Sequence, residues 1–471
     1  MAENIVDYEN LKILGDSFLK FSCSFFLFKT YPSLHEGILT NVKGKLVGNK
    51  NLLDCGVAKN LPNFINTNDF SPNFDWNPPL FSTPEVLLNY IVSKNMDPSI
   101  ISRLEIPQKE CLTGILSEET IESNRKLIDE EGVKKLGLVK SPFLNTELMS
   151  DKTISDVVEA LIGVYLLNGG LAGGFKILNW FGILPESNGT YEEIMKKPVR
   201  VNDVNDEESA VMTILGDVFY TDLEETLGYT FKRKELLLEA ITHPSYVRNR
   251  LTPCYQRLEF LGDAILDFLV TVYIQENFKD MNPGLITDIR SALVNNSTLA
   301  CLSVKYDFHK YLLYTSSPLN KCIENFVKIQ ISNNHAVNEQ ALITLEENDA
   351  IMAESVTVPK ALGDIFESLA GAIFIDSENS LETVWNVFYK IMKKELDEFT
   401  VNPPKTAVRV LHEICGEKPF FETTVYEKVV SVKCSIYYKD EEIVAHGFGD
   451  NKKDAKKSAC KMALKQIFDG N

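Results

Sequence analysis

From Gln256 to Asp267 the chain reads Gln-Arg-Leu-Glu-Phe-Leu-Gly-Asp-Ala-Ile-Leu-Asp, and apolar Leu258, Leu261, Ile265, Leu266, Phe268 and Leu269 recur three and four residues apart. That spacing predicts an α-helix, and it sets Glu259 and Asp263 one turn apart on one side of it. A second apolar helix is predicted over Pro359 to Ala372, where Asp364 and Glu367 stand three residues apart among small residues. Both stretches occur twice and in the same order. Leu14-Gly15-Asp16-Ser17-Phe18-Leu19 answers Leu261-Gly262-Asp263-Ala264-Ile265-Leu266, and Asp156-Val-Val-Glu159-Ala-Leu-Ile-Gly163 answers Asp364-Ile-Phe-Glu367-Ser-Leu-Ala-Gly371. A two-part pattern repeated in order marks a duplicated domain.

The rest of the pattern sorts into blocks. Asn10 to about Phe28 reads as one helix, stopped by Tyr31-Pro32-Ser33. His35 to Leu52 is a basic amphipathic segment that answers Pro283 to Asn296 in the second copy. Residues 66–82 are rich in Asn and Pro and 105–150 are polar, so about 66–150 reads as a long insertion in the first copy. The second copy has a shorter acidic insertion around Glu346, Glu347, Asp349 and Glu354, and residues 185–208 read as a polar linker. At the C-terminus, a helix from Lys405 to Ile414, alternating strands over Thr423–Tyr438 and Glu442–Phe448, and a helix from Lys452 to Phe468 give an α-β-β-β-α order. The chain is therefore expected to be mainly α-helical: a first domain over 1–184, a linker over 185–208, a second domain over 209–400 and an α-β-β-β-α module over 401–471. The second copy has a further apolar segment ahead of its signature, Leu236 to Ser245, for which the first copy has no room, so the chain is expected to be a fragment or a trimmed gene product.

Composition changes this picture little. With 44% hydrophobic and 24% charged residues, the chain reads as ordinary globular protein. No uninterrupted apolar run of membrane-spanning length stands out, and Met-Ala-Glu-Asn is no signal peptide, so a cytoplasmic protein is expected, with the nucleus left open. The nine cysteines show neither a Cys-x-x-Cys pair nor zinc spacing. The net charge of −18 is uneven: residues 401–471 carry 12 Lys/Arg against 10 Asp/Glu, which leaves −20 on residues 1–400. Any affinity for nucleic acid must come from local basic patches.

An acid pair one turn apart is ordinarily a solvated helix face. Two such helices packed through Gly262, Gly363, Ala370 and Gly371 would instead bring four carboxylates together, and these repel one another unless cations lie between them. All-oxygen ligation suits Mg²⁺ or Mn²⁺, and the matching chemistry is metal-assisted phosphodiester hydrolysis. A decoy, Leu215-Gly216-Asp217 with Asp222 and Glu225, lacks an acid four residues before Asp217 and is read as structural.

Glu259-Phe-Leu-Gly-Asp263 and its duplicated context resemble tandem ribonuclease III domains, and Gly447-Phe-Gly449 followed by Lys452-Lys453-Asp-Ala-Lys456 resembles a double-stranded-RNA-binding module. In that order the blocks are similar to the C-terminal part of the Dicer class of that family. The resemblance implies an intramolecular pseudo-dimer with two sites along one valley, each cutting one strand of a duplex to leave short 3′ overhangs. It assigns Glu259, Asp263, Asp364 and Glu367 to one metal site, and Asp16, Asp156 and Glu159 to the other. Lys452, Lys453 and Lys456 would meet phosphates, and Lys43, Lys45 and Arg290 would lie near the RNA backbone. Implied partners are double-stranded RNA, RNA-binding protein cofactors and the Argonaute loading machinery, in small-RNA silencing. Two departures stand out. Lys12 occupies the place of Glu259 in the first copy, so that site is expected to hold metal weakly, and the loop near Glu427-Lys428 lacks the Gly-Pro-x-His segment of many such modules. Competing readings are a Drosha-type precursor nuclease and a non-cleaving RNA-binding scaffold.

Overall fold

A computed structural model describes residues 8–65, 85–94, 96, 100, 103–107, 109–110, 115–137, 150–184, 190–197, 208–216, 218–279, 281–335, 343–345, 352–355, 358–403, 407–415, 418–426, 429–438, 441–449 and 451–469. Asp217, Glu346, Glu347, Asp349, Glu427, Lys428 and most of the expected linker lie outside the described residues. The first copy opens with α1 (Glu9–Thr30), α2 (Glu36–Leu46) and α3 (Asn49–Ala58). His35 ends the turn before α2 by accepting a hydrogen bond from the Gly37 amide, and the single basic segment of the sequence divides into two helices at Val47-Gly48.

Residues Pro62–Ser150 form a unit of their own, with α4 (Glu85–Ser93), α5 (Glu118–Gly137) and a small core of Ile91, Ile100 and Ile128. The first copy resumes with α6 (Asp151–Phe181), which is broken at Gly170, where φ is 59°. By length and composition α6 could cross a membrane, although Asp156, Glu159 and Lys176 interrupt its apolar run and Gly170 kinks it. It is the partner of α1: Val158, Ile162, Phe175 and Leu178 are buried in the same core as Phe18 and Leu19. The expected linker holds α7 (Tyr191–Lys196), closed by a capping box between Thr190 and Glu193 and anchored by buried Ile194. Thr190-x-x-Glu193 is the visible signal for that helix start.

The second copy runs through α8 (Glu208–Gly216), α9 (Tyr220–Leu227), α10 (Lys234–Ile241), α11 (Gln256–Asn277), α12 (Pro283–Leu293), α13 (Asn296–Lys305) and α14 (Ser317–Ser332). After β1 (Ile343–Leu345) and β2 (Met352–Ser355) come α15 (Lys360–Asp376) and α16 (Leu381–Val401). The two copies share one core. Phe21 of α1 stacks on Phe268 of α11 with ring centroids 5.2 Å apart, and Phe25 meets Phe374 of α15 edge-on at 5.3 Å. Arg257 at the start of α11 donates to the carbonyls of Phe28, Tyr31 and Leu34, tying it to the end of α1 and the turn that follows. In return Gln275 donates to the Asn10 carbonyl at 2.5 Å.

Asp376 ends α15 inside the protein, where it accepts from the Tyr229 hydroxyl at 2.8 Å, the Lys232 amide at 2.8 Å, the Arg233 amide at 3.0 Å and Arg233 Nε at 3.4 Å. Asp376→Asn replaces acceptor lone pairs by N–H groups facing donors, so a loss of about 1–3 kcal/mol is expected, seen as earlier thermal unfolding.

The C-terminal module comprises α17 (Ala407–Ile414), β3 (Phe420–Tyr426), β4 (Val429–Tyr438), β5 (Glu441–Gly449) and α18 (Lys452–Asp469). Its strands are antiparallel, with Val432 opposite Thr423 on one side and Gly447 on the other. Val432, Cys434 and Ile436 point from β4 into a core closed by Ala455, Ala459 and Ala463 of α18. The sheet does not end at β5. Strand β2, from the acidic insertion of the second copy, pairs with β5 in parallel and β1 pairs with β2, so a three-stranded sheet becomes five-stranded in the order β1-β2-β5-β4-β3.

Candidate active site

The duplicated helices cross where neither has a side chain. A Cβ on Gly262 would sit 1.8 Å from the Glu367 carbonyl oxygen, and one on Gly371 would sit 2.3 Å from that of Leu258. The first copy repeats this: a Cβ on Gly15 would lie 1.8 Å from the Glu159 carbonyl oxygen, and one on Gly163 would lie 2.2 Å from that of Leu11. Only backbone-to-backbone contact accommodates such spacing, and it presses the acid-bearing turns together.

In the second copy Glu259, Asp364 and Glu367 come together, with ligand oxygens within 4.8 Å of one another. Asp263, one turn along α11, lies outside that tight group but bears on it, for its charge is the strongest acting on Glu367. Burial first, then Asp263, Glu259 and Asp364, push the Glu367 carboxyl well above the usual range. Burial and Asp364 push Glu259 up to about 7, against the pull of Lys360. Lys360, four residues before Asp364, bridges Glu259 Oε1 at 2.6 Å and Asp364 Oδ1 at 2.7 Å. Tyr255 donates its hydroxyl to the other Asp364 oxygen at 2.9 Å. These residues border a cleft of about 450 Å³ that His243 also lines.

In the first copy Asp16, Asp156 and Glu159 meet a different environment. Lys12 bonds Asp156 at 3.0 Å and Glu9 at 3.2 Å, Lys152 bonds Asp156 at 2.7 Å, and Lys20 and Arg290 bond Asp16 at 2.7 and 3.3 Å. Burial opposes the charge on Lys12, yet Asp156 and Glu9 hold its pKa above the usual value. Glu159 is pushed up to about 8 by burial and by Asp16 and Asp156, partly offset by Lys12 and Lys20. The acids are present and close; cations engage two of the three, as Lys360 and Lys43 engage acids in the second copy, and what differs is that Lys12 stands in place of a fourth acid.

Hard oxygen donors converge in the second copy, and the ammonium of Lys360 spans two of them as a stand-in for positive charge, so the residues fit a small hard ion. In the first copy Lys12 replaces a donor with a competitor, and the fit is poorer. Sequence reasoning missed Lys360 and Tyr255, because a lysine in a first helical turn and a tyrosine just before a helix carry no pattern of their own. It also missed that Lys43 of α2 reaches Asp263 at 3.5 Å.

At the C-terminal module, Asn451 caps α18 by accepting from the Lys453 and Asp454 amides at 2.9 and 3.0 Å. Lys452 and Lys453 are exposed at that helix start, whereas the Lys456 ammonium lies 4.0 Å over the Phe421 ring.

Compared with protein families, the chain matches the ribonuclease III domain twice, over residues 9–170 and 256–378. It belongs to the ribonuclease III family. Residues 384–470 match the Dicer double-stranded-RNA-binding domain, so the order of parts is that of the C-terminal region of Dicer-type proteins. The chain is 35% identical to endoribonuclease Dcr-1 of Drosophila melanogaster over 99% of its own length and 34% identical to dcr-1 of Caenorhabditis elegans, again over 99%. It spans only 22% and 26% of those two proteins. Among solved structures, the nuclease domain of ribonuclease III from Campylobacter jejuni is 25% identical, covering 37% of this chain and 96% of that one, with a TM-score of 0.27. Dicer from Giardia intestinalis is 15% identical, covering 83% of this chain and 54% of that one, with a TM-score of 0.34.

Ribonuclease III domains depend on divalent metal, and the raised carboxyls of this one make that dependence readable in stability. Glu259 at about 7 and Glu159 at about 8 lie above their ordinary 4.5 in the folded protein. Their contribution to stability is complete below pH 4.5 and is lost as pH rises through 7 and 8. The metal-free protein is therefore expected to melt earlier at pH 8.5 than at pH 6. A divalent cation favours the ionised forms and binds more tightly when they are populated, so at one fixed Mg²⁺ concentration the stabilisation should be larger at pH 8.5, by about 1.4 kcal/mol for each tenfold fall in Kd. Equal shifts at both pH values would contradict this.

Proposed function

We propose that this chain is the cutting end of a Dicer-type endoribonuclease, hydrolysing double-stranded RNA with Mg²⁺ or Mn²⁺ into short duplexes with 3′ overhangs for siRNA or microRNA production. The observation that carries the reading is the convergence of Glu259, Asp364 and Glu367 beside Asp263, with Asp16 and Asp156 acting on Glu159 at the equivalent place in the first copy. In this reading the second-copy quartet holds the metal, Lys360 holds Glu259 and Asp364 in register, and Tyr255 fixes the second oxygen of Asp364. Bound metal would polarise the scissile phosphate and lower the pKa of the attacking water. Recognition would be of duplex shape and 2′-hydroxyls, with Lys452, Lys453 and Lys456 meeting phosphates. The protein would act in the cytoplasm with RNA-binding protein cofactors and the Argonaute loading machinery.

The test is incubation with a perfect RNA duplex and, separately, its single strands, with Mg²⁺ or with EDTA. The expected result is metal-dependent cutting of the duplex alone. Duplex binding without cutting would favour the scaffold reading instead.

The first site would be the slower one, because Lys12 stands where a ligand is needed. Lys12→Glu both removes a competing cation from Asp156 and adds an oxygen donor. It is expected to speed cutting of the first-site strand at least tenfold, equivalent to about 1.4 kcal/mol of barrier. An unchanged strand-resolved rate would show that Lys12 is not what limits that site.

A further inference from the structure

Helices α2 and α12 occupy corresponding places in the two copies, each eleven residues long, and each packs across the pseudo-dimer: α2 on α11, and α12 on α1. Lys43 and Arg290 are both the eighth residue of their helix. Lys43, from the first copy, places its ammonium 3.5 Å from Asp263 of the second site and 4.8 Å from the Phe260 ring centroid. Arg290, from the second copy, reaches Asp16 of the first site at 3.3 Å and Asp267 of its own copy at 3.5 Å. The two contacts are reciprocal.

We infer that each cutting site is completed by a cation from the opposite domain, Lys43 for the second site and Arg290 for the first, which receives the phosphate of the strand cut there. The reason is charge. A phosphodiester approaching four carboxylates is repelled, and a bound metal does not neutralise all of them together with the entering anion. The Asp263 carboxylate and the face of the Phe260 ring together park the Lys43 ammonium at the rim of the site. A flexible lysine stem lets that head move from carboxylate to phosphate without unpacking. Arg290 is held at two carboxylates and is the more fixed of the pair. One consequence is that neither site is complete in an isolated domain, which gives the pseudo-dimer a chemical role beyond burying apolar surface.

The inference rests on the proposed cleavage, and two readouts separate them. The first is strand-resolved, single-turnover cutting of a duplex by the whole chain carrying Lys43→Met, which keeps the stem. Cutting by the second site, whose carboxylates lie in the other domain, is expected to fall roughly tenfold or more, with Lys43→Arg restoring it to within about threefold. The second readout needs no RNA. Titration with Mn²⁺ followed by electron paramagnetic resonance should show binding at the second site tightened about threefold in Lys43→Met, since a competing cation has left Asp263. An unchanged cutting rate overturns the inference. So does slower cutting accompanied by weaker Mn²⁺ binding, which would make Lys43 merely structural. If the unmodified chain cuts no duplex, the functional reading has failed, and the Mn²⁺ titration still decides: without tightening, Lys43 does not engage the site.

Discussion

Glu367→Gln is expected to lower cutting of the second-site strand by a factor of roughly a thousand, the several kcal/mol of charge stabilisation that a bound cation supplies. The same change should make the metal-free protein more stable at pH 8, which sets it apart from damage to the fold. Glu367 is a carboxyl that burial and three neighbouring acids hold well above the usual range, so at pH 8, far above its ordinary 4.5, it costs stability. Glutamine keeps the shape and removes that cost. Strand-resolved cleavage and thermal melts with and without Mg²⁺ measure both effects. A mutant that loses activity and also melts earlier without metal would show that Glu367 supports the fold instead.

Gly262→Ala is expected to have a large structural effect for a single added methyl. The added carbon would lie 1.8 Å from the Glu367 carbonyl oxygen, a backbone atom that no rotamer change can move aside. Helices α11 and α15 would have to separate by more than an ångström, with a cost of about 3 kcal/mol or more, at the upper end for overpacking. Their separation would also part Glu259 from Asp364 and Glu367, so the Mg²⁺-dependent rise in melting temperature should disappear together with cutting. Gly44→Ala is the contrast. Nothing lies within 4 Å of that added carbon, so the helix should gain about 0.5–1 kcal/mol from the lower chain entropy of alanine.

These two predictions show why so much of the site was legible in the sequence. Helical periodicity alone sets Glu259 beside Asp263 and Asp364 beside Glu367, and the duplicated glycines mark where two such helices touch. The same alignment exposes Lys12 as the odd residue of the first copy, and the structure shows the consequence as ion pairs to Asp156 and Glu9. What periodicity cannot carry is contact between distant parts of the chain. Lys360 reads as an ordinary first-turn lysine until α11 places Glu259 against it, 101 residues away in sequence. Lys43 and Arg290 read as two basic residues on solvated helices until the copies pair. Strand β2 is four residues within an acidic insertion, and only the open edge of β5 explains why it is a strand. The repeated motif around Asp156 and Glu159 does not reveal how far α6 runs, nor that it is kinked at Gly170. Short-range signals were there to be found as well, since the Thr190 capping box announces a helix inside what reads as linker.

The central claim is that one chain holds two unequal cutting sites, one with four carboxylates in the second copy and one in the first where Lys12 takes the place of the fourth. The most direct measurement is single-turnover cleavage of a duplex whose strands carry different end labels, with the unmodified chain at saturating Mg²⁺. The account predicts that both cuts are metal-dependent, with one strand cut at least tenfold more slowly than the other, and that Asp263→Ala abolishes the fast cut alone. Equal rates on the two strands, or loss of both cuts together in Asp263→Ala, would contradict it.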